Sequence, residues 1–572
     1  MTQPTSGHWL SKYACNYHAW QSDIVGRKHV YRRPLGLVEL SFDTDGTDYG
    51  GRADMTGLLT LEIRHKLSKD ELRQRIALAW ACLRLQHVML QTRVHQDEGT
   101  GRRDFVVNVN ENSEEVLDET LKSIVWVEDG YTEVDGDEFH RHSFNVSRII
   151  DPAKCLSQLQ VLPLIALPNG SFELRFLIVM AHQISDGLSA YNWFRHFIAL
   201  LNMPITSIEQ EIDHFRLPKN LGSRLPPAQE DLYPPVAGNK ARERWFWAIM
   251  RVLRHIGKGL PPTIANPLCR EHRLEKAASL SPLFNKVFDY SEARKPPMNS
   301  FHCTAALSKA ASTRLIELCR AMKVSVGAGC FALAGISMMD MEEQRYPNIP
   351  DADRKPFAAS FPLNPRAFYG FNTPADSCML AFSDGIIMPF LSSSLPVDGR
   401  LRLIALQANR QLRVYQKRLK SADANMSLEP HSPGRLLANG YIYALERIEA
   451  KLPESRKSGM NPQGALPRPS TWGGATCGVS SVGSTAAYFS SGAYDLNEVG
   501  KLEGKDFAAD YRNIKMGVRA RDNEFLVGSS TDHAGIVHFG VSYDGNSISE
   551  DAAEAWAEKI KSLLEKTPHS KL

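Results

Sequence analysis

The sequence predicts a mixed α/β protein built as two lobes, and three observations carry that prediction. Strand-like and helix-like hydrophobic periods alternate along the whole chain rather than segregating into one half. The order strand, Leu-Ser-Lys, amphipathic helix occurs twice, over Thr60–Trp80 and again over Thr304–Met322. Between the two lies a stretch of different texture, rich in proline and mixed charge, as in RLPPAQEDLYPPVAGNK and ARKPPMN, which reads as a crossover with an insertion instead of a core. At roughly 150 residues per domain, 572 residues exceed one ordinary core. The expected division is an N-terminal lobe over 1–205, the insertion over 206–300 and a C-terminal lobe over 301–572.

Each element follows from local pattern. LLTLEIRH alternates as a strand, and Ser68 with Glu71 then forms a capping box that opens a helix with Leu72, Ile76, Ala79, Trp80 and Leu83 on one face. Asp104–Asn110 reads as a strand and the segment from Ser113 to Ile124 as a helix. His140 and His142, in FHRHSF, are expected on a solvated loop. From Ser171, SFELRFLIVMAH is an apolar run of the kind buried on both faces of a sheet, and Asp186–Leu201 is the helix after it. The insertion carries one amphipathic helix around Glu243–Ile256. The second lobe opens with its own Leu307-Ser308-Lys309 start. An apolar helix follows (VSVGAGCFALAGISMM, with Met338–Glu342 as core packing), then strands at KPFAASFPL and SCMLAFSDGIIM and helices at Arg400–Arg418 and Gly434–Leu452. Strands near Cys477–Val482, Phe525–Gly528 and Gly535–Tyr543 precede a last helix bearing Trp556, Ile560, Leu563 and Leu564.

Composition excludes several functions. Lys+Arg 67 against Asp+Glu 64 leaves a formal charge of +3, without the basic stripe of a nucleic-acid binder. No apolar run reaches the ~20 residues of a membrane helix, and the first residues lack the basic-then-apolar order of a signal peptide, so a cytoplasmic location is expected. Nine cysteines without a CxxC pair, and no tight His/Cys set, predict reduced thiols and no metal site. There is no GxxxxGK[ST], GxGxxG or GxSxG, which disfavours ATP, NAD and serine-hydrolase chemistry.

What remains is one local feature. The long apolar strand ends in Ala181-His182-Gln183-Ile184-Ser185-Asp186-Gly187, placing a histidine and an Asp-Gly pair at a strand-to-helix junction, where side chains enter a crevice. An imidazole with an ordinary pKa of ~6.5 can accept a proton there near neutral pH. By spacing alone, a His–x3–Asp pair among 18 histidines also arises by chance.

The motif resembles the HxxxDG active-site motif of the CoA-dependent acyltransferase and condensation-domain superfamily. Trp80–Val94 is similar to that family's helix after its first strand, Pro362–Arg366 to its Asn/Asp-x-Arg segment, and GIVHFGVSYDGNSISEDAAEAWAEKIKSLLE to its closing strand–helix. The insertion further resembles fungal trichothecene 15-O-acetyltransferases. The resemblance implies two chloramphenicol-acetyltransferase-like lobes with an active-site tunnel between them. It implies His182 as general base, Asp186 held by Arg366 from the other lobe, Gly187 as backbone hinge and Asn364 as support, with strand capping as the alternative for Asn364. In Cys477–Gly483, similar to the Ser-x-x-Gly strand of condensation-like members, Ser480 or Ser481 would contact an oxyanion or pantetheine; a water-bonded strand-edge pair is the alternative. Ala181 stands where condensation domains carry a second histidine, which favours a stand-alone enzyme.

The implied function is transfer of an acyl group, acetyl first, from acyl-CoA as a dissociable co-substrate to a hydroxyl of a lipophilic small molecule, by a monomer with no tightly bound cofactor, no nucleic acid partner and no membrane span. The alternatives are a condensation-like enzyme forming an amide or ester, or cyclising or dehydrating, without CoA, and a non-catalytic binding scaffold.

Overall fold

In the computed structural model the described residues are 9–26, 28–236, 238–256, 260–291, 298–369, 374–383, 385–419, 432–457 and 474–565. Part of the predicted insertion (257–259 and 292–297) and the first eight residues, on which the leader reading rests, lie outside them. Two six-stranded sheets, each packed with helices, organise the chain. The first centres on Met55–His65 and Phe172–Met180, antiparallel from Met55↔Met180 to Ile63↔Phe172. Ser157–Val161 and then Ile124–Trp126 extend it on one side. Here Phe172–Met180 is buried on both faces, as its unbroken apolar run requires.

The capping box forms as predicted. Ser68 Oγ accepts from the Glu71 amide at 3.3 Å, and a Glu71 carboxylate oxygen accepts from the Ser68 amide at 2.7 Å. The helix it opens, Lys69–Gln86, is more deeply buried than a one-faced helix, because it is covered on several sides. Trp80 lies edge-on to Phe197 at 5.7 Å in the middle of the first core. Ser308 caps Lys309–Ala321 in the same manner, through the Ala311 amide. Val326–Arg345, apolar all round, runs buried beneath the second sheet, with Met338 and Met339 fully covered. The second sheet runs in the order Ser300–Ala306, Val537–Asp544, Phe525–Thr531, Cys477–Ser484, Phe357–Ser360, Ile386–Met388. Among the described residues, no single helix is long and apolar enough to cross a membrane.

Three features depart from the sequence reading. A strand that it missed, Phe507–Val518, leaves the second half of the chain and pairs along the whole of Met55–His65, from Phe507↔His65 to Val518↔Met55. The expected 301–572 lobe therefore lends an edge strand to the first sheet, and the first core includes Phe489, Phe507 and Ala509. This strand exposes several of its polar residues, which hides its pairing from a search for apolar runs. A helix was also missed, Leu37–Asp48. It buries Glu39, Asp43 and Asp45 against arginines and a lysine brought from elsewhere (Arg33–Glu39 2.6 Å, Arg103–Asp43 2.8 Å, Lys451–Asp45 2.6 Å), so its acidic face reads as surface in sequence and is interior in fact. Finally, His140 and His142 are buried on the helix Gly136–Ser143, not solvated on a loop. His140 Nε2 meets the Thr56 hydroxyl at 2.6 Å, and burial pushes its pKa well down.

The insertion carries more than the single helix expected, since Ile205–Phe215 and Pro218–Gly222 are also helical, and it does not fold alone. Its helix Lys240–Ile256 packs Phe246, Trp247 and Met250 against Tyr13 and Leu37 from the N-terminal part and Leu437, Tyr441 and Ile442 from Pro433–Lys451. Tyr13 and Trp247 meet edge-on at 4.8 Å.

The lent strand approaches the first lobe closely at Gly517, where a Cβ would stand 2.3 Å from the buried Phe144 ring. Gly517→Val is expected to lower unfolding free energy by about 1–3 kcal/mol through overpacking, read by denaturant titration against Gly528→Val, whose Cβ meets only a carbonyl oxygen at 3.5 Å.

Candidate active site

The sequence around His182 builds a short, pinned junction. The Ala181 amide donates to Leu156 O at 2.9 Å, which ties the end of the strand to its neighbour, and the chain then turns with Ile184 N donating to Ala181 O at 3.1 Å. Within that turn His182 Nδ1 lies 2.8 Å from the Ser185 carbonyl oxygen. A carbonyl only accepts, so Nδ1 carries the proton and the neutral ring presents its lone pair at Nε2. No hydrogen bond to Nε2 forms among the described residues. The ring lies flat on Phe42, 3.9 Å between centroids and 4° between planes. Burial pushes its pKa below the ordinary histidine value, helped by the Arg521 cation and opposed by Asp186 and the Ser185 carbonyl. The imidazole is thus held as a neutral base. Phe42, on the missed Leu37–Asp48 helix, fixes its plane and carries no sequence signal of its own.

Asp186 points away from His182 and holds the junction. It is the N-cap of Gly187–Leu201. Its Oδ1 accepts from the Leu188 and Ser189 amides at 3.1 and 3.0 Å, and its Oδ2 accepts from Arg366 Nη2 at 2.7 Å and the Met379 amide at 3.1 Å. Both partners of the ion pair are buried, and every oxygen has donors, which is what a buried carboxylate requires. Arg366 also donates to Ser377 O at 2.5 Å and to Asn364 Oδ1 at 3.3 Å. Asn364 itself is exposed and accepts from the Arg366 amide at 3.1 Å, so it braces the arginine and caps the turn Pro365–Tyr369.

The segment Ala375–Met379 clasps the first lobe as a unit. Ala375 O accepts from Asn192 at 3.1 Å, and Asp376 accepts from Trp193 Nε1 at 2.7 Å and pairs with His87 Nδ1 at 2.5 Å. His87 Nε2 meets His196 Nδ1 at 2.8 Å, and burial, with His87 beside it, pushes His196 down to about 4. His87 lies within the Trp80–Val94 segment that carried the resemblance, whereas Asp376 and His196 carried no motif signal.

The remaining predicted residues are separated by the geometry. Gly187 starts its helix without a positive φ, and a Cβ there would meet only Val482, at 3.9 Å. It gives the second sheet a bare backbone to approach and is not required as a hinge. Ser481 faces Gly327 at the start of Val326–Arg345, at 3.2 Å from a Cβ placed there. Strand alternation puts Ser480 on the opposite face, away from that helix, and the strand bulges between Ser481 and Gly483. No group of three His, Cys, Asp or Glu side chains arranged for a metal occurs among the described residues. A cavity of about 420 Å³ between the lobes is lined by His140, Arg141, Phe301, His302, Lys515 and Glu550 among others, and no site residue borders it. Its lining residues pair as Arg141–Glu550 at 2.9 Å, across the lobes, and Lys515–Asp137 at 2.5 Å.

Superposition on solved structures settles the architecture. The trichothecene 15-O-acetyltransferase of Fusarium sporotrichioides matches over 98% of this chain and 99% of its own, with a TM-score of 0.64 at 10% identity. The chain has the two-lobed acyltransferase and condensation-domain fold. A four-domain nonribosomal peptide synthetase matches over 95% of this chain, which spans 33% of that longer protein, with a TM-score of 0.51 at 10% identity. No protein-family model and no curated protein sequence matches the chain. The fold thus persists where sequence identity has decayed to 10%, and in it the strand-end histidine and the Asp–Arg pair lie at the seam between the sheets.

Arg366→Ala leaves Asp186 buried without its counter-ion and is expected to cost about 3–5 kcal/mol of stability, measured by denaturant unfolding. Asn364→Ala, which removes an exposed brace only, is expected to stay within about 1 kcal/mol of the parent.

Proposed function

We propose that the protein is an acyltransferase that moves an acyl group, acetyl in the first instance, from CoA to a hydroxyl of a lipophilic small molecule. One observation carries this reading: His182 has its Nδ1 proton committed to the Ser185 carbonyl at 2.8 Å and its Nε2 lone pair left for a substrate, on a junction immobilised by the Asp186–Arg366 pair. A base of this kind abstracts the acceptor hydroxyl proton as that oxygen attacks the thioester carbonyl. The tetrahedral intermediate then collapses, the C–S bond breaks, and the imidazolium returns its proton to the departing thiolate. The ester and free thiol leave, and the enzyme carries no covalent intermediate. Asp186 takes no part in proton transfer, since its four donors already occupy it; it is a positioning residue. Ser480, on the sheet face turned away from Val326–Arg345, is the hydroxyl offered to the developing oxyanion. Support for the reading also comes from the fold shared with a trichothecene 15-O-acetyltransferase.

Incubation with acetyl-CoA and a pool of hydroxylated metabolites is expected to give an acetyl mass gain and stoichiometric free thiol; silence with every CoA thioester overturns the CoA reading. His182→Ala is expected to lower turnover by roughly 10²–10⁴ with unchanged melting temperature, and full activity in that variant removes the mechanism.

The pH dependence follows from the sign of the shift. The base form exists above the histidine pKa, and that pKa is lowered, so kcat/KM is expected to be flat through neutrality. Its acid limb should fall below the ordinary histidine value of ~6.5. A limb centred above that value contradicts the environment described for His182.

A further inference from the structure

The ring under His182 is the first of two aromatic neighbours, and each carries a guanidinium. Phe42 and Phe382 lie 6.5 Å apart. Arg521 stands 5.5 Å from the Phe42 centroid and Arg447 stands 5.0 Å from the Phe382 centroid. Lys451, one turn beyond Arg447 on the helix Pro433–Lys451, places Nζ 2.6 Å from both oxygens of buried Asp45 and 3.3 Å from the Ser41 hydroxyl. Arg521 donates to the same Asp45 at 2.8 Å and lies 3.4 Å from Glu524. Arg447 has no carboxylate partner among the described residues. Of three cations drawn from two parts of the second half of the chain, Lys451 and Arg521 thus share Asp45, Arg521 also meets Glu524, and Arg447 is left without a carboxylate among the described residues, in a half-buried place where charge is expensive to leave uncompensated.

We infer that Arg447, Lys451 and Arg521 form an oxyanion-binding subsite for a phosphate or carboxylate group of the substrate held at His182. The inference rests on the acyl-transfer reading only in taking His182 as the reacting centre. Arg521 spends its in-plane donors on Asp45 and Glu524, whereas Arg447, laid on the Phe382 face without a carboxylate among the described residues, keeps its N–H donors for a bidentate partner, which matches carboxylate and phosphate geometry. Phe42 stacks on the imidazole and neighbours Phe382, which places the cations on these rings beside the reacting centre. The cluster shows its need for an anion in Lys451. Burial and the neighbouring Arg447 push that ammonium down to about 7 against the pull of Asp45, with Arg521 adding to the fall. The groups facing it are Ser41 and Asp45 from Leu37–Asp48, Arg447 from its own helix and Arg521; the Tyr49 hydroxyl donates to its backbone carbonyl at 2.6 Å. A bound anion favours the charged ammonium. Anion affinity is therefore full below about 7 and falls as pH rises above that value and Lys451 loses its proton in the free protein.

The test is equilibrium titration of the full-length protein, without turnover, using inorganic phosphate, succinate, CoA and pantetheine, below and above pH 7. Phosphate and succinate are expected to bind the parent and to bind Arg447→Ala and Lys451→Gln about tenfold more weakly, a difference of about 1.4 kcal/mol, with the parent's affinity lower on the alkaline side. If the donor's phosphate is the natural occupant, the preference for CoA over pantetheine disappears in both variants. If that preference survives while succinate weakens, the occupant is a carboxylate on the acyl group or the acceptor. Melting temperatures equal to the parent's qualify the variants, and Arg447→Gln replaces the alanine variant if it unfolds. Absence of anion binding by the parent, or equal binding by parent and variants, overturns the subsite. Failure of acyl transfer leaves this titration unaffected and counts against the catalytic reading alone.

Discussion

The ion pair between Asp186 and Arg366 is the constraint on which the rest of the site depends. It joins the first helix turn after the strand-end histidine to a turn in the other half of the chain, at 2.7 Å and out of water. Taking both charges out of solvent is costly, and the pair is tolerated because the carboxylate collects two amides of its own helix and a third from Met379. A pair of this kind contributes geometry more than stability. It sets where the junction stands relative to the second sheet, and the junction sets where His182 Nε2 points.

Around that pair the lobes are fastened by several independent devices. The lent strand Phe507–Val518 makes the second half of the chain part of the first sheet. The Ala375–Met379 clasp grips the site helix through Asn192 and Trp193 and the end of Lys69–Gln86 through His87. The insertion helix shares an aromatic core with both halves. Polar fastenings dominate near the site and apolar ones away from it. Close to His182 the groups that must face a substrate cannot be covered by side-chain packing, so direction comes from hydrogen bonds instead.

The helix Leu37–Asp48 ties stability to chemistry. Its acidic residues meet Arg103, Lys451 and Arg521 in the interior, while Phe42 from the same helix lies flat against His182. Phe42 and Asp45, three residues apart, share a face, and Arg521 meets both, so the side that supports the base also gathers cations beside it. Such a helix has almost no amphipathic signature, because its buried face is charged. That is why hydrophobic periodicity passes over it, as it does over the polar Phe507–Val518 strand.

The sequence by itself determined the elements whose signal is local. These were the capped helices at Ser68 and Ser308, the doubly buried strand Phe172–Met180, the strand-end His182 and the helix that starts at Asp186-Gly187. Hydrophobic period and capping chemistry act within a few residues, so they are legible one segment at a time. Tertiary structure alone decided which distant groups complete them: Phe42 under the imidazole, the strand from the second half that closes the first sheet, and the burial of His140. Those outcomes depend on which surfaces meet across hundreds of residues, and on buried charges that look like solvent-facing ones until their partners arrive.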